Sequence, residues 1–324
     1  MQALGVHHVV YRGTDNQVHE LFINSGGRWV FNTITLAAGA PQTAGNPYGY
    51  QATGVHHVVY RGMDNQIHEL FINAAGKWAH NVVTLSAGAP PAAGDPQGYE
   101  ANGVHHIVYR GLDGHVHELF INSAGNWAHK SVSIIAGAAK TAGNPYGYEA
   151  NGVHHIVYRG VDSQVYELFI DSTGNWACNV VTKSAGAPAA VGDPHGYEAV
   201  GVHHIVYRSA QNQVQELFID STGNWRFNTV SISAHAAEAA GDPWGYEANG
   251  VHHIVYRGVD GHVQELFINQ TGNWAVNTVS VAAGAPNATG VATGYVTGPR
   301  KEHGQSLLAG ASAPAEETTQ PALS

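Results

Sequence analysis

Hydrophobic positions in this chain fall into short clusters of β-branched and aromatic residues. Gly, Asp, Asn and Pro cut them apart, and nowhere do they hold a helical period over three turns. One stretch shows the grammar. Residues 49–52, Gly-Tyr-Gln-Ala, form a short extended segment after Asn46-Pro47. Val55-His56-His57-Val58-Val59-Tyr60-Arg61 reads as a strand, Gly62-Met63-Asp64-Asn65-Gln66 as a turn, and residues 67–73 as the next strand. Ala74-Ala75-Gly76-Lys77 turns again, and residues 78–85 read as a fourth strand. A two-residue turn at Asp64-Asn65 places Tyr60 opposite Glu69 and Arg61 opposite His68, so Arg61 and Glu69 are expected on opposite faces.

The stretch repeats. Gly5-Val6-His7-His8-Val9-Val10-Tyr11-Arg12 returns from Gly54, Gly103, Gly152, Gly201 and Gly250, always after 49 residues. Four short antiparallel strands per unit, six times over, predict an all-β fold: a closed six-bladed β-propeller with one repeat per blade. Strands apolar on both faces (Val58, Val59, Tyr60; Leu70, Phe71, Ile72) suit sheets packed between two neighbours. The first and second strands are joined only by Thr53-Gly54 and must be neighbours. Residues 294–298 align with 49–53 and carry the Gly-Tyr signature that residues 1–4 lack. They are expected to supply the inner strand of the first blade and close the ring without an exposed edge. The propeller thus spans residues 1–298, and 299–324 read as a disordered tail.

Composition removes several function classes. The net charge is −10, from 14 basic and 24 acidic residues, without a basic stripe. Nucleic acid is therefore not an expected partner. No apolar stretch approaches the roughly 20 residues that span a membrane, so membrane insertion is not expected. Residues 1–20 show no signal peptide, which gives a cytoplasmic expectation as synthesised, with release by another route left open. The one cysteine, Cys178, stands where other repeats have Phe31, His80, His129, Phe227 or Val276 and reads as a packed side chain.

Three sets of residues could carry chemistry. The first is Arg12, Arg61, Arg110, Arg159, Arg208 and Arg257; Glu20, Glu69, Glu118, Glu167, Glu216 and Glu265; and Trp29, Trp78, Trp127, Trp176, Trp225 and Trp274. A guanidinium and a carboxylate bind hydroxyls, and an aromatic face packs the C–H surface of a sugar. The same residues also read as a structural ion pair at a blade edge beside a core Trp, and residue types alone favour that plainer reading. The second set is the six His-His pairs, 12 of the 22 histidines. Adjacent strand residues point to opposite faces, so one pair cannot chelate one ion, and equivalent histidines are expected to meet only in a central channel. They read chiefly as buried, hydrogen-bonded histidines, with a transition-metal site as the alternative. The third is the position before Gly-Tyr: Tyr48, Gln97, Tyr146, His195, Trp244 and Thr293. Its aromatics, Tyr48, Tyr146 and Trp244 above all, suggest stacking surfaces in loops at the propeller face.

Val59-Tyr60-Arg61, Asn65-Gln66-Ile67-His68-Glu69 and Gly76-Lys77-Trp78 resemble the blade motif of the fucose-binding propeller lectins of fungi and soil bacteria. The resemblance runs blade by blade over residues 5–298. It implies a six-bladed ring that binds fucose between adjacent blades through an Arg, a Glu and an aromatic. The Glu matches at Glu69 and its equivalents and the aromatic at Trp78, whereas the Arg follows the Tyr instead of preceding it by two residues. The reading is a multivalent lectin for glycans or glycoconjugates, with a protein-interaction scaffold and a metal-binding or enzymatic propeller as alternatives. Phosphate-cradling loops, Cys pairs and nucleophile elbows are missing from the sequence. No catalytic residue, metal or cofactor is called for. Blade five is expected to be the poorest site, because Ser209-Ala210-Gln211 alters its turn.

Overall fold

The computed structural model describes residues 8–24 and 26–294. Six antiparallel sheets follow one another along the chain. Five have four strands and the first has three among the described residues. In the second sheet Tyr48–Ala52, Val55–Arg61, Ile67–Ile72 and Trp78–Val82 pair in chain order. The first strand of each four-stranded sheet lies beside the first strand of the next, around a common axis. The architecture is the expected six-bladed β-propeller, each four-stranded blade running from an inner strand at the axis to an outer strand at the rim.

Local chemistry explains the strand order. Thr53 and Gly54 both have left-handed φ, 49° and 78°, and form a two-residue turn that pairs Ala52 with Val55. Its backbone N–H at Thr53 donates to Glu100 Oε2 of the next blade at 2.6 Å. Asn102 to Glu149 and Asn151 to Glu198 repeat the tie at 2.8 and 2.9 Å.

The second hairpin departs from the expected register. Gly62 N–H donates to the Gln66 carbonyl, and Asn65, at φ 60°, takes the left-handed position. Asp64 Oδ1 accepts from Gln66 N–H at 3.0 Å. This larger turn pairs Arg61 with Ile67 and Val59 with Glu69. Arg61 and Glu69 therefore share one face of the blade, against the expectation of opposite faces. The outer strand is also shorter than residues 78–85. It stops at Val82, and Val83–Ser86 make one helical turn. Thr84 causes the change: its hydroxyl donates to Gln66 Oε1 and accepts from Ile67 N–H, folding the chain back onto the blade.

The core lies between blades. Val18 and Ile34 of the first blade pack with Val58, Tyr60 and Leu70 of the second, and the pairs from the second and third blades to the fifth and sixth repeat the arrangement. Tyr60 is fully buried, and its hydroxyl donates to the Pro41 carbonyl at 2.8 Å in the preceding crossover. Tyr109, Tyr158 and Tyr207 do the same to Pro90, Ala139 and Pro188. Leaving such a hydroxyl unpaired would cost about 1–3 kcal/mol each.

The Gly-Tyr signature also has a cause. A Cβ at Gly98, Gly147, Gly196, Gly245 or Gly294 would collide with the ring of Tyr50, Tyr99, Tyr148, Tyr197 or Tyr246 of the preceding blade. Gly294 thus stands against the sixth blade as the other inner-strand glycines stand against theirs. Residues 295–298 of the expected closing strand, residues 1–4 and the tail 299–324 lie outside the described residues.

Candidate functional site

Opposite faces of one blade abut two different neighbours. The two histidines of a pair therefore enter two different interfaces. The second histidine of one blade meets the first histidine of the next, between blades, a meeting of non-equivalent positions that the sequence-based expectation leaves out. At the first interface His8 Nδ1 lies 2.6 Å from Glu20 Oε1, and His56 Nε2 of the second blade lies 3.4 Å from the same oxygen. The two imidazole rings are 4.2 Å apart, edge to face. Trp78 of the second blade stands edge-on to His56 at 5.6 Å. Glu20, His8, Phe22 and Asn32 from one blade and His56, Ile72 and Trp78 from the next line a pocket of about 190 Å³.

The arrangement repeats. Glu69 is held by His57 at 2.8 Å and faces His105 at 3.5 Å; Glu216 is held by His204 at 3.0 Å and faces His252 at 3.7 Å. Glu118 and Glu167 take His106 and His155 at 2.9 Å, with His154 and His203 completing each group. The outer strand adds an amide: Asn81, Asn179 and Asn277 donate to the second oxygen of Glu69, Glu167 and Glu265 at 3.1 to 3.2 Å. From the inner strand, Tyr99 and Tyr197 donate to Glu118 and Glu216 at 3.4 Å, and Tyr50 contacts His105. Sequence reasoning missed the Asn and Tyr. Their signal was present, since Asn fills five of six equivalent positions (Lys130 takes the other) and the Tyr follows its glycine in each described inner strand.

Burial, then the neighbouring imidazoles, pulls His56 down to about 4 and His105 to about 3, so both are neutral near pH 7. Burial raises Glu216, but hydrogen bonds from His204 and His252 outweigh it and hold the carboxyl below its ordinary range. At Glu20 burial outweighs the hydrogen bond from His8 and raises the carboxyl. The pockets thus offer an acidic group, imidazoles and an aromatic wall, a set suited to hydroxyl groups attached to C–H surface.

The structure brings Glu and Trp together across blades, Glu20 with Trp78, but not the arginines. Arg12, Arg61, Arg110, Arg159, Arg208 and Arg257 end their strands two residue pairs away and turn to the crossovers. Arg12, Arg110 and Arg257 donate to the carbonyls of Ala44, Ala93 and Ala240; Arg61 donates to Asn65; Arg159 and Arg208 face Asp193 and Asp242 at 3.9 and 3.6 Å. These carbonyl and carboxylate acceptors hold each guanidinium outside the inter-blade pocket. Ser209 and Gln211 lie at that same end of blade five, while Glu216 keeps both its histidines.

Trp127, Trp176, Trp225 and Trp274 pack against the blade before them, whereas Trp29 is 56% exposed. Its face of the first blade, with Tyr11 and Phe31, is exposed, and among the described residues no hydrogen bond or ring contact joins it to the sixth blade. Tyr48, Tyr146 and Trp244 do not sit in separate loops. Each opens an inner strand, and with Gln97 and His195 they converge on the axis around a cavity of about 230 Å³. His195 lies 4.0 Å from Tyr146 and 3.8 Å from Trp244, ring to ring. Cys178 is half-buried and its thiol is pushed up by burial, as befits a packing residue.

The fold has known counterparts. The lectin of Aleuria aurantia, described as a six-bladed β-propeller, superposes with a TM-score of 0.55 at 12% identity, over 85% of this chain and 91% of that one. A single-residue mutant of the same lectin has been solved with Fucα1-6GlcNAc. A lectin of Burkholderia pseudomallei superposes at 0.64 and 13% identity, over 83% of this chain and 79% of that one. The AofleA protein of Arthrobotrys oligospora does so at 0.53 and 13%, over 84% and 82%. No family model and no curated protein sequence matches the chain.

Proposed function

We propose that this protein is a multivalent lectin that binds glycans in the pockets between its blades. The observation that carries this reading is the junction of Glu20 with Trp78, an acidic hydrogen-bonding group and an aromatic wall from adjacent blades in one small pocket. The described interfaces repeat the Glu and its histidines, so weak single-site binding would be raised by simultaneous attachment to clustered glycans. The propellers with this fold include a lectin solved with α-methyl fucoside, which supports a fucose-type ligand here. Glu, His, Asn and Trp contact the sugar in this proposal, and the arginines organise the crossovers instead. The protein acts by binding, not by catalysis.

A glycan array probed with the parent protein and with Glu69→Gln/Glu118→Gln tests this. The expected result is binding to fucosylated glycans, weakened several-fold in the double variant. Binding that survives unchanged places the site elsewhere. A blank array from folded protein overturns the lectin.

A further inference from the structure

We propose that the inter-blade His–Glu–His groups are binding sites for a divalent transition metal of the zinc class. Five groups are formed by the described residues: His8, Glu20 and His56; His57, Glu69 and His105; and their three successors ending in His204, Glu216 and His252. In each, one ligand-type atom per residue lies within 4.8 Å of the others. Two imidazoles and one carboxylate are a protein ligand set that leaves a tetrahedral zinc ion one open position.

The second histidine of each group stands at a spacing that suits an ion, while the first stands at hydrogen-bond distance from the carboxylate, 2.6 to 3.0 Å, and would draw back on taking it. An ion held tetrahedrally at about 2.0–2.1 Å from each ligand spaces those ligands about 3.4 Å apart. His56 and His105 stand 3.4 and 3.5 Å from their glutamates, distances that suit two ligands of one ion better than a direct imidazole–carboxylate bond. His56 Nε2 and His203 Nδ1 are buried ring nitrogens without a hydrogen-bond partner. Such orphans are costly unless something occupies the space they face.

The outer groups are arranged as second partners of a metal site. Asn81 and Asn179 hold one glutamate oxygen, Oε2, and leave Oε1 to face both imidazoles. Tyr99 and Tyr197 hydroxyls orient the carboxylate from the inner strand. At the first interface His8, Glu20 and His56 line the pocket that Trp78 walls, which gives the ion an entry path and its open position a place for water. The ion would take the glutamate and imidazole atoms that the glycan reading gives to sugar hydroxyls, and a hydroxyl would then reach its open position; metal binding is measured without sugar, so the two readings fail separately.

The test uses the full chain, stripped with EDTA, dialysed against Zn²⁺ and counted by mass spectrometry of the metal. About five Zn²⁺ per chain are expected, one for each group of described residues. Glu118→Gln and His154→Gln are each expected to lower the count by one, with circular dichroism unchanged. His235→Gln, outside these groups, should leave it alone. Co²⁺ in place of Zn²⁺ should give visible bands of tetrahedral intensity that diminish by about one-fifth in either variant. A parent count below one per chain, or a count that neither variant lowers, overturns the proposal.

Discussion

Equivalent positions of the repeat converge at two places in this molecule, and their sequences have gone opposite ways. Between blades the same residues recur: a Glu held by one histidine, a second histidine from the next blade and a Trp. On the axis the residues vary from blade to blade, Tyr48, Gln97, Tyr146, His195 and Trp244, with only Tyr used twice. The difference has a packing cause. A residue at a blade interface meets a different position of the neighbouring repeat, so one solution serves every interface. A residue on the axis meets its own copies. Six identical large side chains cannot share one volume at protein packing density, so the axis is filled by an unequal set. Equality therefore marks a task performed many times, and inequality marks a single plug.

The largest expected effects separate well-covered interfaces from the ring seam. Trp176, 8% exposed, should lose about 3–5 kcal/mol of stability as Trp176→Ala, whereas Trp29→Ala, 56% exposed, should lose under about 1 kcal/mol. Urea unfolding measures both. Equal losses would mean that the first and sixth blades are packed like the rest. Next comes the glycine cradle. Gly147→Ala drives a methyl into the Tyr99 ring and should cost about 3 kcal/mol. At Gly49 the nearest atom is a Val10 methyl at 3.2 Å, so Gly49→Ala should cost under about 1 kcal/mol. Matching melting temperatures would break the account of the Gly-Tyr signature.

The axis gives the smallest effect and a pH signature. Burial lowers His195 from 6.5 to about 3, and its Nδ1 accepts from Gly245 N–H, as Gln97 Oε1 accepts from Gly147 N–H. The folded state favours the neutral ring, so this group costs nothing above pH about 6.5. As pH falls from there towards 3 the unfolded chain binds the extra proton, and stability drops by up to about 1.4 kcal/mol per pH unit. His195→Gln should flatten the stability profile between pH 6 and 4 by about that slope. An unchanged profile would contradict a neutral buried imidazole on the axis.

The fold was largely legible because the repeat is so regular. The fixed spacing announced the blades, and Thr53-Gly54 forced its two strands together. Part of the site was legible too, since Glu69 and Trp78 stand at positions the lectin resemblance marks. Three things were not. The register after Arg61 depends on how many residues the Gly62–Gln66 turn uses, and Asp-Asn permits more than one turn. The end of the outer strand depends on Thr84 finding Gln66, a contact between positions far apart in the chain. The meeting of His57 with His105 needs the knowledge that a blade's two faces belong to two interfaces, which alternation along a single strand cannot supply.

The central claim is that ligand sits between blades and not at the axis or the arginines. Calorimetric titration with the glycan selected by the array, counting sites per chain in the parent, Trp127→Ala, Arg110→Lys and Trp244→Ala, tests it most directly. The account predicts that Trp127→Ala lowers the count by about one while Trp244→Ala and Arg110→Lys leave it unchanged. Loss of binding in Trp244→Ala, with Trp127→Ala unaffected, would contradict it.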